Sequence, residues 1–184
     1  MSSIAGKNAA ILVDNYFEEI EFVSPKEILD NAGVITAVIS TGEESLQGMN
    51  HAELGNLFVP DLTIDDIVFE DYDILVVPGG ALNADALRMN EKAREWVQYC
   101  IENSVPLAVI CHAPWLLASA DVVDGMQLTS YYTIQDDLRN AGATWVDEAV
   151  VIDGHVISSR SPQDLPKFNE AILQMLSRTP TVIS

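Results

Sequence analysis

The feature that most constrains this chain is a junction near its middle, Pro106 to Ala118, reading Pro-Leu-Ala-Val-Ile-Cys-His-Ala-Pro-Trp-Leu-Leu-Ala. Leu107 to Ile110 is a short unbroken apolar run, the pattern of a strand buried on both faces. Pro114 stands where the first residue of a helix tolerates proline, and Trp115, Leu116 and Leu117 continue that helix. Only Cys111, His112 and Ala113 remain to turn the chain from strand to helix. Such a turn holds the thiol at the carboxyl end of a strand and beside a helix amino terminus. There the helix dipole and free N–H groups favour a thiolate and can receive a developing oxyanion. The arrangement is that of a nucleophile elbow without its usual glycine frame, since Val109 and Ala113 occupy the glycine positions.

Cys100 gives an internal contrast. Ala93, Trp96, Val97, Cys100 and Ile101 recur at helical spacing, so Cys100 belongs to the apolar face of a helix. One thiol reads as core and the other as a site, which leaves no disulfide framework.

Around this junction the chain alternates strands and helices. Asn8 to Val13, Val34 to Ser40 and Asp73 to Val77 read as buried strands. Phe22, Pro25, Leu29 and Ala32 trace a helix closed by Gly33. Ser24-Pro25-x-Glu27 reads locally as a capping box that would start this helix at Ser24. Leu46 to Val59, with Gly48 and Gly55-Asn56, reads as an inserted β-hairpin. Asp61 to Ile67 is an acid-rich loop with a short helix, and Asn90 to Asn103 is the Cys100 helix. Beyond the junction, Gly125 to Thr129 is a strand and Thr133 to Ala141 a helix. Val146 to Ile152 and Val156 to Ser158 form a hairpin through Asp153-Gly154. Ser161 caps the last helix, with Pro162 first and Leu165, Phe168, Ile172 and Met175 along one face. His51 reads as solvated or structural, and His155, beside the Asp153-Gly154 turn, as exposed. The 184 residues make one domain, 1–184, an α/β fold with a doubly wound, mostly parallel sheet flanked by helices and a small β-hairpin insertion.

The net charge of -19 on a chain with 9 basic and 28 acidic residues repels nucleic acid and anionic membranes, so neither is expected as a partner. No apolar run approaches a membrane span, and residues 1–7 lack signal-peptide character, which makes the cytoplasm the default location. Three scattered histidines offer no metal-ligand spacing, and no cofactor is expected.

Ala108-Val109-Ile110-Cys111-His112-Ala113-Pro114 resembles the Ala-x-x-Cys-His-Gly-Pro elbow of PfpI-type proteins in the ThiJ/PfpI superfamily. The similarity extends to Asp73-Ile74-Leu75-Val76-Val77-Pro78-Gly79-Gly80, to Asn90-Glu91-Lys92-Ala93 and to Ser159-Arg160-Ser161-Pro162-Gln163-Asp164-Leu165-Pro166. It covers nearly the whole chain, with Ala113 replacing the family's glycine. The resemblance implies a flavodoxin-like, class I glutamine amidotransferase-like fold, and a first helix that begins before Ser24 and carries Pro25 inside it. It also implies that Glu21 is a buried acid bonded to the nucleophile Cys111, with Glu18 as a second acid of lower rank. His112 would pair with Cys111, and the backbone N–H groups of Gly80 and His112 would hold an oxyanion. An acid from a neighbouring subunit would meet the histidine. Aligning Asn83-Ala84-Asp85-Ala86-Leu87-Arg88 with that loop assigns Asp85, although the family has glutamate and a loop one residue shorter. The apolar residues around Asp85 fit either an interface or the chain's own core.

The expected function is a PfpI-like cysteine hydrolase acting on small carbonyl or amide substrates or peptides, of peptidase/amidase or glyoxalase/deglycase type. It would work as a homodimer or as a hexamer built from dimers. A glutamine amidotransferase would need a later His-x-Glu pair, and His155 is followed by Val156 and Ile157. The alternative from another class is a stress-response chaperone or redox sensor, with Cys111 oxidised and no turnover.

Overall fold

A computed structural model describes residues 3–178. β1 (Asn8–Val13) leads through a two-residue strand β2 (Phe17–Glu18) into helix α1 (Glu19–Asn31). β3 (Ile35–Ser40) follows, then the hairpin of β4 (Leu46–Asn50) and β5 (Glu53–Phe58). Next come β6 (Leu62–Thr63), β7 (Ile74–Val77), α2 (Ala81–Met89) and α3 (Glu91–Glu102). β8 (Leu107–Ile110) and α4 (Pro114–Ser119) flank the central junction. β9 (Gln127–Leu128), α5 (Gln135–Asn140), β10 (Thr144–Trp145), β11 (Val150–Asp153), β12 (Val156–Ser159) and α6 (Leu165–Arg178) complete the order.

The main sheet has the order β11-β12-β8-β7-β1-β3-β6. All its pairings are parallel except β11 with β12. Because a strand side chain alternates faces, β1 feeds two cores. Ala10 and Leu12 pack with Leu87, Trp96, Val97 and Leu116 from α2, α3 and α4. Ala9, Ile11 and Val13 pack with Phe22, Leu29, Phe168 and Ile172 from α1 and α6. Trp96 is fully buried and stacks on Phe69 at 5.1 Å. From β1 the chain goes outward to β3, then returns on the other side to β7 and β8. That reversal opens a crevice at the carboxyl ends of β1 and β7, where open α/β sheets bind ligands.

The fold agrees with the doubly wound, mostly parallel reading, and several local expectations are corrected. The first helix starts at Glu19 with Pro25 inside it, so the local capping-box start at Ser24 is overridden. The inserted hairpin turns at His51, whose φ is +58°, and Gly55-Asn56 lies within β5. The Asp85 segment is the helix α2 and not a loop. Ser161 makes no cap bond; a 3-10 turn over Pro162–Asp164 precedes α6, and the Ser161 hydroxyl turns to Gln163. His155, expected to be exposed beside its turn, is half-buried, and burial pushes its pKa down.

Candidate active site

Cys111 follows the last residue of β8 and sits at φ +64°, a left-handed conformation uncommon for a residue with a side chain. Neighbouring backbone holds it there. Its N–H donates to Ser159 O at 3.0 Å, and its carbonyl accepts the Tyr131 N–H at 2.8 Å. Strain of this kind persists only where the surroundings over-determine it, and here it turns the thiol out of the sheet. Ala113 lies at φ -54° and its methyl is buried in the core, so nothing at that position requires the family's glycine.

The turn brings the Cys111 Sγ to 3.2 Å from Nδ1 of His112. The imidazole stacks on Tyr131 at 4.8 Å, meets Trp115 edge-on at 5.4 Å, and its Nε2 lies 3.4 Å from the Thr133 hydroxyl. Burial pushes the His112 pKa down, which keeps the ring neutral at neutral pH. In the tautomer whose proton is on Nε2 and donated to Thr133, Nδ1 is the acceptor facing the thiol.

Glu21 is fully buried on α1 and accepts the Gly79 N–H through Oε2 at 2.9 Å. Its Oε1 is buried with no nitrogen or oxygen partner, and the carboxyl also reaches the Cys111 thiol. Burial, then the charge of Glu18, push its pKa up to about 8, against the bonds from Gly79 and Cys111. At neutral pH Glu21 is therefore a neutral acid with a proton to give.

Burial also pushes the Cys111 thiol up, and a charged Glu21 would add to this, while the Gly80 and His112 N–H groups pull it down. With Glu21 protonated, its charge no longer opposes the thiolate. The expected standing thiolate is accordingly corrected: Cys111 is only 7% exposed and rests as a thiol whose proton has an acceptor in His112. Cys100 is fully buried and pushed up to about 12 by desolvation alone.

Gly79 and Gly80 make the close approach possible. A Cβ at Gly79 would collide with Glu21 Oε2 and Cys111 Cβ. Gly80 has φ +96°, and a Cβ there would lie 2.8 Å from Tyr16 O and from Glu18 N. Both turn geometry and approach to the thiol thus demand glycine.

Glu21, Gly80, Cys111 and His112 face one cavity of about 370 Å³, whose lining also includes Tyr16, Met49, His51, Tyr131, Ser161, Pro162 and Gln163. Glu18 lines it and accepts the His51 backbone N–H at 3.2 Å. Glu19 instead turns to the hairpin, accepting the Asn56 N–H at 2.7 Å. Asp85 lies exposed on α2 and does not line the cavity of its own chain. Ala84 and Leu87 beside it are buried in the chain's own core, whereas Ala81 and Leu82 are exposed. Thr133, Tyr131 and His51 were not legible as site residues: none stands in a motif, and Thr133 is 21 residues from His112. Among the described residues no group of three or more His, Cys, Asp or Glu is placed to hold a metal, and no helix is long and apolar enough to cross a membrane.

The architecture and the site define an α/β protein with a cysteine in a tight elbow at the carboxyl edge of a parallel sheet. Comparison with known proteins gives the particular lineage. The DJ-1/PfpI family matches residues 7–175, and the chain belongs to that family. It is 41% identical over 172 residues to the uncharacterized protein SAV1875 of Staphylococcus aureus (strain Mu50), covering 92% of this chain and 98% of that one. A solved two-domain protein from Anabaena variabilis, with DJ-1/ThiJ/PfpI-like and ferritin-like domains, superposes with a TM-score of 0.87 at 34% identity. The match covers 92% of this chain and 48% of that one, so this chain spans about half of that protein. Drosophila melanogaster DJ-1beta superposes with a TM-score of 0.85 at 28% identity, covering 93% and 90% of the two chains.

Proposed function

We propose that this chain is a cysteine hydrolase of PfpI type that acts on small carbonyl or amide substrates in the cytoplasm, as a peptidase/amidase or as a glyoxalase/deglycase. The observation that carries this reading is the 3.2 Å approach of Cys111 Sγ to His112 Nδ1 at a cavity wall. As the sulfur attacks a carbonyl carbon, Nδ1 takes the thiol proton, a C–S bond forms and the carbonyl π electrons move onto oxygen. The N–H groups of Gly80 and His112 receive that oxyanion. On an amide, His112 returns the proton to the departing amine, and water then cleaves the thioester. On an aldehyde the same attack gives a hemithioacetal, and the neutral Glu21 is the acid that protonates its oxygen.

Asp85 completes the site of a neighbouring copy in this reading, which therefore requires at least a dimer. Its exposure on α2, next to exposed Ala81 and Leu82, is compatible with that role. A second reading, a stress-response chaperone or redox sensor, draws on the same thiol and its opening to the cavity. A screen over methylglyoxal, glycated amino acids and small peptides separates the two when run beside Cys111→Ser. Consumption of a substrate by the parent and not by the variant is the expected result. No consumption by either protein would overturn the hydrolase reading.

A further inference from the structure

Asn83 is fully buried in the first turn of α2, and its side chain is spent on the strand ends around the site. Nδ2 donates to the carbonyl oxygens of Pro78 and Gly79, both at 3.0 Å. Oδ1 accepts the Asp14 N–H at 2.7 Å, which fixes the way round the carboxamide sits. Asp14 is itself held by the Thr41 hydroxyl and the Asn15 N–H.

Both bonded carbonyls belong to trans peptides, in which the C=O and the following N–H point in opposite directions. Holding Pro78 O towards Asn83 therefore aims the Gly79 N–H away from it, at Glu21 Oε2, where it is found. Holding Gly79 O in the same way, with the Glu18 N–H at 3.2 Å as a second donor, aims the Gly80 N–H at Cys111. Two successive glycines impose little preference of their own on these peptide planes. The orientation needs an external clamp.

We propose that Asn83 is a positioning residue whose one carboxamide fixes both peptides, committing the Gly79 N–H to Glu21 and the Gly80 N–H to the Cys111 sulfur. The part played by the Gly80 N–H towards an oxyanion rests on the hydrolase reading; the orientation of the two N–H groups does not.

Pro78-Gly79 is the only Pro-Gly pair in the chain and Gly79-Gly80 the only Gly-Gly pair. Carbonyl-¹³C proline or glycine combined with ¹⁵N-glycine thus isolates one amide signal each, for Gly79 and for Gly80. Asn83→Asp keeps the side-chain shape and the Oδ1 acceptor but puts an oxygen where the donor was. Asn83→Ala removes the clamp without adding charge. In each folded variant both signals should move, and Cys111 alkylation at neutral pH should slow by about ten-fold, equivalent to one unit of thiol pKa. Where the parent turns over a substrate, kcat should fall with KM retained. Unmoved signals with an unchanged alkylation profile in a folded variant would overturn the clamp. The unaltered protein supplies a readout that survives poor folding of both variants. Its Asn83 carboxamide protons should exchange with water as slowly as core amides, and rapid exchange would overturn the proposal. Absence of turnover by the parent would sink the hydrolase reading alone, because the amide signals and the alkylation rates still decide the clamp.

Discussion

Cys111 and His112 are consecutive residues, yet Sγ and Nδ1 approach to 3.2 Å. In an extended strand, adjacent side chains point to opposite faces. The left-handed φ of Cys111 breaks that alternation at one residue, and Tyr131 and Ser159 hold the break in place. An imidazole is thereby set beside a thiol from the next position in the chain, in a turn that two distant residues hold.

The two thiols should differ in reactivity. Cys111 opens to the cavity and has His112 to accept its proton, whereas Cys100 is fully buried and pushed up to about 12. Iodoacetamide at a pH of about 6 to 7 should label Cys111 first, as read by peptide mass spectrometry. Equal or earlier labelling of Cys100 would remove Cys111 from the chemistry.

Glu21 should leave a signature in stability against pH. Its folded pKa of about 8 lies above the ordinary 4.5, so the folded state binds the extra proton. The contribution is fully present below pH 4.5 and is lost as pH rises through 8. The full loss is on the order of 5 kcal/mol by linkage. Urea unfolding of the parent and of Glu21→Gln between pH 5 and 9 should show the parent falling more steeply. Parallel curves would mean that Glu21 does not titrate in this window.

Alanine at Gly80 should disable the site. Its Cβ would press on backbone atoms of Tyr16 and Glu18 that cannot swing aside, at a φ of +96° that alanine resists. A stability loss of at least about 2 kcal/mol is expected, together with slower Cys111 alkylation. A folded Gly80→Ala protein with parental stability and alkylation rate would show that the turn is not constrained as described.

Mixing tests whether the site is shared between copies. Asp85→Ala and Cys111→Ser proteins should each be impaired, and subunit exchange should restore activity in the mixture. Full activity in a protein that sediments as a monomer would remove Asp85 from the mechanism.

Much of the central junction is decided within a dozen residues. The apolar run Leu107 to Ile110, the proline at 114 and the three residues between them fix strand, turn and helix, and each boundary is found where the pattern puts it. The helical spacing around Cys100 assigned that thiol to the core for the same reason, since a local period reports which face is buried. The family resemblance singled out Glu21, but its raised pKa comes from burial and then from the charge of Glu18, against the N–H of Gly79, 58 residues away. Local signals also misled: Ser24-Pro25 looks like a helix start, yet α1 begins at Glu19, where its acids fold back onto the strand ends. Thr133 against His112, Asn83 against Pro78 and Gly79, and the half-burial of His155 depend on how loops return over the sheet. Periodicity and capping record short-range sterics and hydrogen bonding, so sequence determined the elements and the place of Cys111 between strand and helix. The proton affinities and the direction of each backbone N–H follow from burial and long-range contacts, and only the tertiary structure decided those.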